Sequence, residues 1–167
     1  MTLVELMVAT GLASILLLVL GSLTLYSARS FSAMVNYTDL NQDSRAALDR
    51  ISKEIRQSRG VLNRTPTSLL LSLDGGKTVT YSYNAAKKEL TEDKGAGIKS
   101  VLENCTYWTN QLYRQIPQSG NFDFYSTTNP SLCKMIQITW ICESPTKNQK
   151  NTADVQSMKV VIRKKPN

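Results

Sequence analysis

Hydrophobic and polar positions split the chain into three zones. In the first, the 23 residues from Leu6 to Ala28 carry no charge and are mostly Leu, Val, Ala and Ile. At 1.5 Å rise per residue a helix of this length spans about 30 Å, the thickness of a bilayer's hydrocarbon core. A buried helix of a soluble protein would show a polar face, and this one offers little beyond Thr and Ser. A cleavable secretory signal would start with basic residues and be shorter. The pattern predicts a membrane-spanning helix over residues 1–28.

Charges return in the second zone, 29–58, but helical spacing persists. Phe31, Met34, Val35 and Thr38 form one stripe, and Leu48, Ile51 and Ile55 form another at i, i+3, i+7. No Pro or Gly interrupts the zone, so one helix is expected from the start to about residue 57, some 85 Å long. Gly60 or Pro66 marks its end. Asp49–Lys53 and Arg50–Glu54 stand at i, i+4, the spacing of helix-surface ion pairs.

The third zone, 59–167, reads as strands. "TSLLLSLDGGKTVTYSYN" places two β-rich runs around a turn, with Val79, Tyr81 and Tyr83 alternating with Thr78, Thr80 and Ser82. Short strands are expected in "KKELTE", around Val101–Trp108, in "MIQITWICES" and in "SMKVVIRKK". "RQIPQSGNFDFYSTTNPSLC" reads as a long polar loop. The outcome is an α+β protein: a long N-terminal helix on a mostly antiparallel head of five or six strands.

Charge and cysteine content sharpen this picture. The formal charge is +7, and because Glu5 is the only charge before Arg29, the last 139 residues carry +8. "SRGVLNR" and the terminal "RKKPN" are basic enough to attract DNA or another anionic surface, although no basic groove with interleaved aromatics is visible. Cys105, Cys133 and Cys142 fit an oxidising compartment with one disulfide. A Cys133–Cys142 bridge would pin the loop to a strand, a Cys105–Cys142 bridge would tie two strands, and both remain open, as do three buried thiols. There is no histidine and no Cys-x-x-Cys, so neither a metal site nor a cofactor is expected. With no nucleophile–base pair in evidence either, the chain is expected not to be an enzyme. Glu92-Asp93 sits in a Lys-rich turn and is expected to be solvated.

Glu5 is the anomaly of the first zone. A carboxylate within a membrane segment costs a few kcal/mol and is usually paired. An α-amino group is the nearest cation, either the chain's own at Met1 or one from a neighbouring copy. The second choice would set an axial register between parallel helices.

The stretch "TLVELMVATGLASILLLVL" closely resembles the N-terminal helix of type IV pilins and type II secretion pseudopilins. That resemblance implies a leader ending in Gly that a prepilin peptidase removes, followed by N-methylation at Met1, where the family usually has Phe. It implies that Thr2, Leu3, Val4, Glu5 and Leu6 act in assembly, with Glu5 meeting a neighbour's terminal amine. Gly21-Ser22 stands where many major pilins have a helix-bending Pro, which makes Gly21 a point of flexibility and Gly11 a packing position. The implied partners are copies of the chain or related pilins, the prepilin peptidase and N-methylase, an inner-membrane assembly platform, and lipid before assembly. The implied location is the inner membrane with the head in the periplasm, then a surface pilus or periplasmic pseudopilus. The order of elements resembles the larger minor pilins and the J-type pseudopilin. On this expectation the chain is a filament subunit. The alternative is a membrane-anchored periplasmic binding module that never polymerises, with DNA among its candidate ligands.

Overall fold

The computed structural model describes residues 2–118, 121–143 and 153–163. A single helix, α1 (Leu3–Gln57), runs unbroken through both Gly11 and Gly21. It starts at Thr2 and stops at Ser58, whose backbone is extended and whose amide and hydroxyl both bond to the Ile55 carbonyl, at 3.2 and 2.8 Å. Arg59 then donates to Ser72 and the chain enters the first sheet.

Nine strands follow among the described residues, more than the five or six expected, and they form two antiparallel sheets. The first is a meander of β1 (Gly60–Arg64), β2 (Ser68–Ser72), β3 (Thr78–Asn84), β4 (Glu89–Asp93) and β5 (Ile98–Leu102). The second has the order β7 (Asn121–Thr127), β6 (Cys105–Gln118), β8 (Met135–Glu143), β9 (Ala153–Val161). The expected hairpin around Asp74-Gly75-Gly76 is present, with Gly75 and Gly76 at φ 74° and 73°, a conformation that glycine adopts without steric cost.

Two expectations fail here. The single strand expected around Val101–Trp108 is two, because the chain reverses at Asn104 in the left-handed region (φ 57°), passing from one sheet to the other. The expected polar loop is largely the β6–β7 hairpin. Pro117 obscured it, yet this proline lies beyond the last β6–β8 pair at Tyr113, so its missing N–H leaves that ladder intact.

One core joins the second half of α1 to both sheets. Ala47, Ile51 and Ile55 of α1 meet Leu69, Leu71, Val79 and Leu90 of the first sheet and Leu112, Ile136, Ile138, Trp140 and Val160 of the second. Trp108 and Trp140 stack with their ring centroids 6.2 Å apart. Of the two helical stripes only the second is buried. Phe31 and Met34 are about 70% exposed and precede the part of the helix that meets the head. Asn110, fully buried on β6, fastens the sheets to each other: its amide donates to the Thr65 carbonyl at 3.0 Å, and its side-chain oxygen accepts from Arg64 Nε at 2.7 Å.

Candidate functional site

The lone acid at the start of α1 has a local partner. Thr2 and Glu5 form a reciprocal capping box: the Glu5 carboxylate accepts the Thr2 amide at 2.8 Å, and the Thr2 hydroxyl accepts the Glu5 amide at 3.3 Å. Two of the amides that a helix start leaves orphaned are thereby satisfied, and the negative charge faces the positive end of the helix dipole. Leu3, Val4 and Leu6 are exposed beside it. Met1 lies outside the described residues.

At the other end of the helix a polar cluster joins α1 to the first sheet. Tyr81 donates its hydroxyl to Glu54 at 2.5 Å and lies 3.2 Å from Glu92 Oε1. Arg50 pairs with Glu92, and Lys94 with Glu54, while Lys94 also reaches Glu92 at 3.2 Å. The expected Arg50–Glu54 pair is thus replaced by contacts to β4. Glu92, shielded from water, gives Arg50 a stronger charge-assisted bond than an exposed i, i+4 neighbour would. Glu92, expected to be solvated, is 2% exposed. In "ELTED" it shares the inward face of the pleat with Leu90, a period-two signal that its acidic neighbour Asp93 hides. Burial alone would raise the Glu54 carboxyl, but hydrogen bonds from Lys94 and Tyr81 outweigh it and hold the group below its usual range. Burial and the adjacent Glu54 carboxylate push the Tyr81 hydroxyl well up. The bond to Glu54 likewise raises Lys94.

A cavity of about 270 Å³ opens where α1, β5 and the end of β8 converge. Leu40, Asp43 and Ser44 of the helix form one side, Ser100 to Asn104 the other, and Cys142 a further wall. Cys142 is bonded to Cys105, which fixes the β5–β6 turn to β8. Cys133 is buried outside that bond, its thiol donating to the Met135 carbonyl at 3.5 Å. Ser44 is fully buried, and its hydroxyl and that of Ser100 find no hydrogen-bond partner among the described residues. Nothing in the sequence singled out either serine, since a Ser inside a helix carries no local sign of the wall it faces.

Both arginines of "RGVLNR" have side-chain partners. Arg59 pairs with Asp74 at 2.7 Å and Arg64 is committed to Asn110. Residues 164–167, most of the "RKKPN" tail, lie outside the described residues. Among the described residues no group of acids and cysteines is placed to hold a metal ion.

Fold and seam together define an α+β head on a helix long and apolar enough to cross a membrane. The sequence profile of the family described as TarH, Tar ligand binding domain homologue, matches residues 3–91, which is just over half the chain and takes in α1 and the first sheet into β4. The chain belongs to that family. No curated protein and no solved structure matches it at a significant level.

This match overturns the resemblance to type IV pilins and pseudopilins. With it fall the filament-subunit function, the pilin, peptidase and assembly-platform partners, and the pilus and pseudopilus destinations. The physical source of the misreading is visible at the helix start. Thr-x-x-Glu before an apolar run is also the spacing of a capping box, and Thr2 and Glu5 form one within a single chain.

Proposed function

We propose that the chain is a membrane-anchored ligand-binding module with a sensory role, its head held in the periplasm by the first half of α1. The observation that carries this reading is the match to a ligand-binding family over residues 3–91, the stretch that supplies α1 and most of the first sheet. The position of the cavity supports it. The cavity lies against the same continuous helix whose apolar half is suited to the bilayer, so occupancy at the seam bears directly on the element that enters the membrane. A ligand that binds one setting of helix against sheet better than another would shift that equilibrium by its differential affinity.

The test uses the full chain in lipid nanodiscs. Unfolding of the head is followed by the fluorescence of Trp108 and Trp140 against a panel of small cationic, anionic, neutral polar and apolar compounds. At least one class is expected to raise the unfolding midpoint saturably, by RT ln(1 + [L]/Kd). A flat response across the whole panel would remove the proposal.

A further inference from the structure

We infer that the cavity at the helix–sheet seam takes a short aliphatic amine in its protonated form, an inference that rests on the ligand-binding reading above. The residues around the cavity set its preference. Asp43 and Glu103 are exposed at its rim, and neither has an ion-pair partner among the described residues. No Lys or Arg lines it. Deeper in, Ser44 is fully buried with an unpartnered hydroxyl, and the Ser100 hydroxyl across from it on β5 is unpartnered too.

Carboxylates only accept hydrogen bonds, and each hydroxyl can accept as well as donate. A site built this way calls for a donor-rich cation. An ammonium group brings three N–H donors and one positive charge to surroundings that supply acceptors and negative charge. A divalent metal ion fits less well, because no three metal-ligating side chains converge among the described residues. Leu40, Val101 and Leu102 give the cavity apolar wall against which an alkyl stem can lie. The volume of about 270 Å³ gives room for a compact amine.

The experiment measures binding to the full chain in nanodiscs by calorimetry and by the tryptophan-monitored unfolding midpoint. The probes are 1-aminobutane and 1,4-diaminobutane, with 1-butanol as neutral counterpart, butyrate as anionic counterpart, and magnesium and calcium chloride each alone. Both amines are expected to bind saturably and to bind at least about tenfold tighter than butanol, the scale of a charge-assisted contact. The double variant Asp43→Asn/Glu103→Gln changes only exposed residues and should keep the fold while weakening the amines about tenfold. Ser44→Ala should weaken them severalfold without altering the response to salt. The inference is overturned if the amines bind no better than butanol, if the double variant binds them undiminished, or if a metal ion alone reproduces the effect. Should the amines fail while another class in the wider panel binds, this inference falls and the ligand-binding reading stands. If nothing binds, both fall.

Discussion

Tyr81 on β3 donates its hydroxyl to Glu54 on α1 at 2.5 Å, and the same hydroxyl lies 3.2 Å from Glu92 on β4. One phenol therefore stands between two carboxylates contributed by two different elements, with Arg50 and Lys94 supplying the positive charge. The helix contributes one apolar stripe to the core, and this cluster adds a polar tie between it and the first sheet.

Tyr81→Phe keeps the ring and removes the donor. The Glu54 carboxylate loses its phenolic donor, and Glu92, which is 2% exposed, loses the polar atom beside it while keeping Arg50 and Lys94. Hydrogen bonds to charged groups contribute about 1.5–3 kcal/mol, so the head should lose stability on that scale. Urea unfolding followed by the fluorescence of Trp108 and Trp140 reads it directly. A change below about 0.5 kcal/mol, the level of an ordinary surface substitution, would mean that the cluster does not hold the helix.

The same groups set the pH limits of stability. Glu54 titrates lower in the folded head than its ordinary value of 4.5, so its contribution is present above that value and is lost as pH falls through the folded one. Tyr81 and Lys94 titrate higher than their ordinary 10.0 and 10.5. Their contributions are complete below those values and disappear as pH rises toward the folded ones. The urea midpoint should therefore be flat from about pH 5 to pH 10 and fall on either side. In Tyr81→Phe the alkaline decline should become shallower, since Tyr81 no longer contributes and Lys94 and the Tyr83 hydroxyl, which burial raises, remain to drive it. An alkaline limb unchanged by the substitution would place its origin elsewhere.

How far the pattern of residues revealed the fold depends on whether the information was local. The helix was legible because neither Pro nor Gly occurs between Ser22 and Gly60, and the β2–β3 hairpin because Gly75-Gly76 fits its turn. Local periodicity could not say which helical stripe meets the head. Phe31/Met34 and Ile51/Ile55 have comparable spacing, yet the first pair is exposed and the second fully buried. The partners of Arg50 and Glu54 were likewise hidden, since each lies about 40 residues away on β4 or beside it and a helix-surface neighbour was the obvious local choice. The cavity was the least legible feature of all. Ser44 and Ser100 are ordinary residues in their own segments, and only the packing of α1 on β5 makes them face one space.

The Cys105–Cys142 bond closes a segment with a sequence separation of 37. In the chain-entropy account a loop of that size stabilises the folded state by about 4 kcal/mol. Cys105→Ser/Cys142→Ser should lower head stability by about 3–4 kcal/mol, and a reducing agent should have the same effect on the unsubstituted chain while leaving the double variant unmoved. Both sulfurs are buried, so reduction should be slow unless denaturant is present. Equal midpoints with and without reductant at equilibrium would show that the bond contributes nothing to the folded head.

The apolar half of α1 is subject to a separate test. Leu16 lies near the middle of the uncharged run and is 64% exposed, in a window of mean hydropathy 2.4 with none of it buried against the rest of the chain. Near the centre of a membrane helix Leu favours insertion by about 0.5 kcal/mol and Arg opposes it by about 3 kcal/mol. Leu16→Arg should shift the insertion equilibrium by about 3.5 kcal/mol, and Leu12→Arg/Leu16→Arg by roughly twice that. Alkaline extraction of membranes carrying the full chain reads the result: the unsubstituted chain stays in the pellet, the single variant is partly released and the double variant is mostly released. Leu16→Ile should behave as the unsubstituted chain, because it changes shape without adding polarity. If the double variant stayed wholly in the pellet, the run would be packed against another protein that could accommodate the charges, and lipid would not be its solvent.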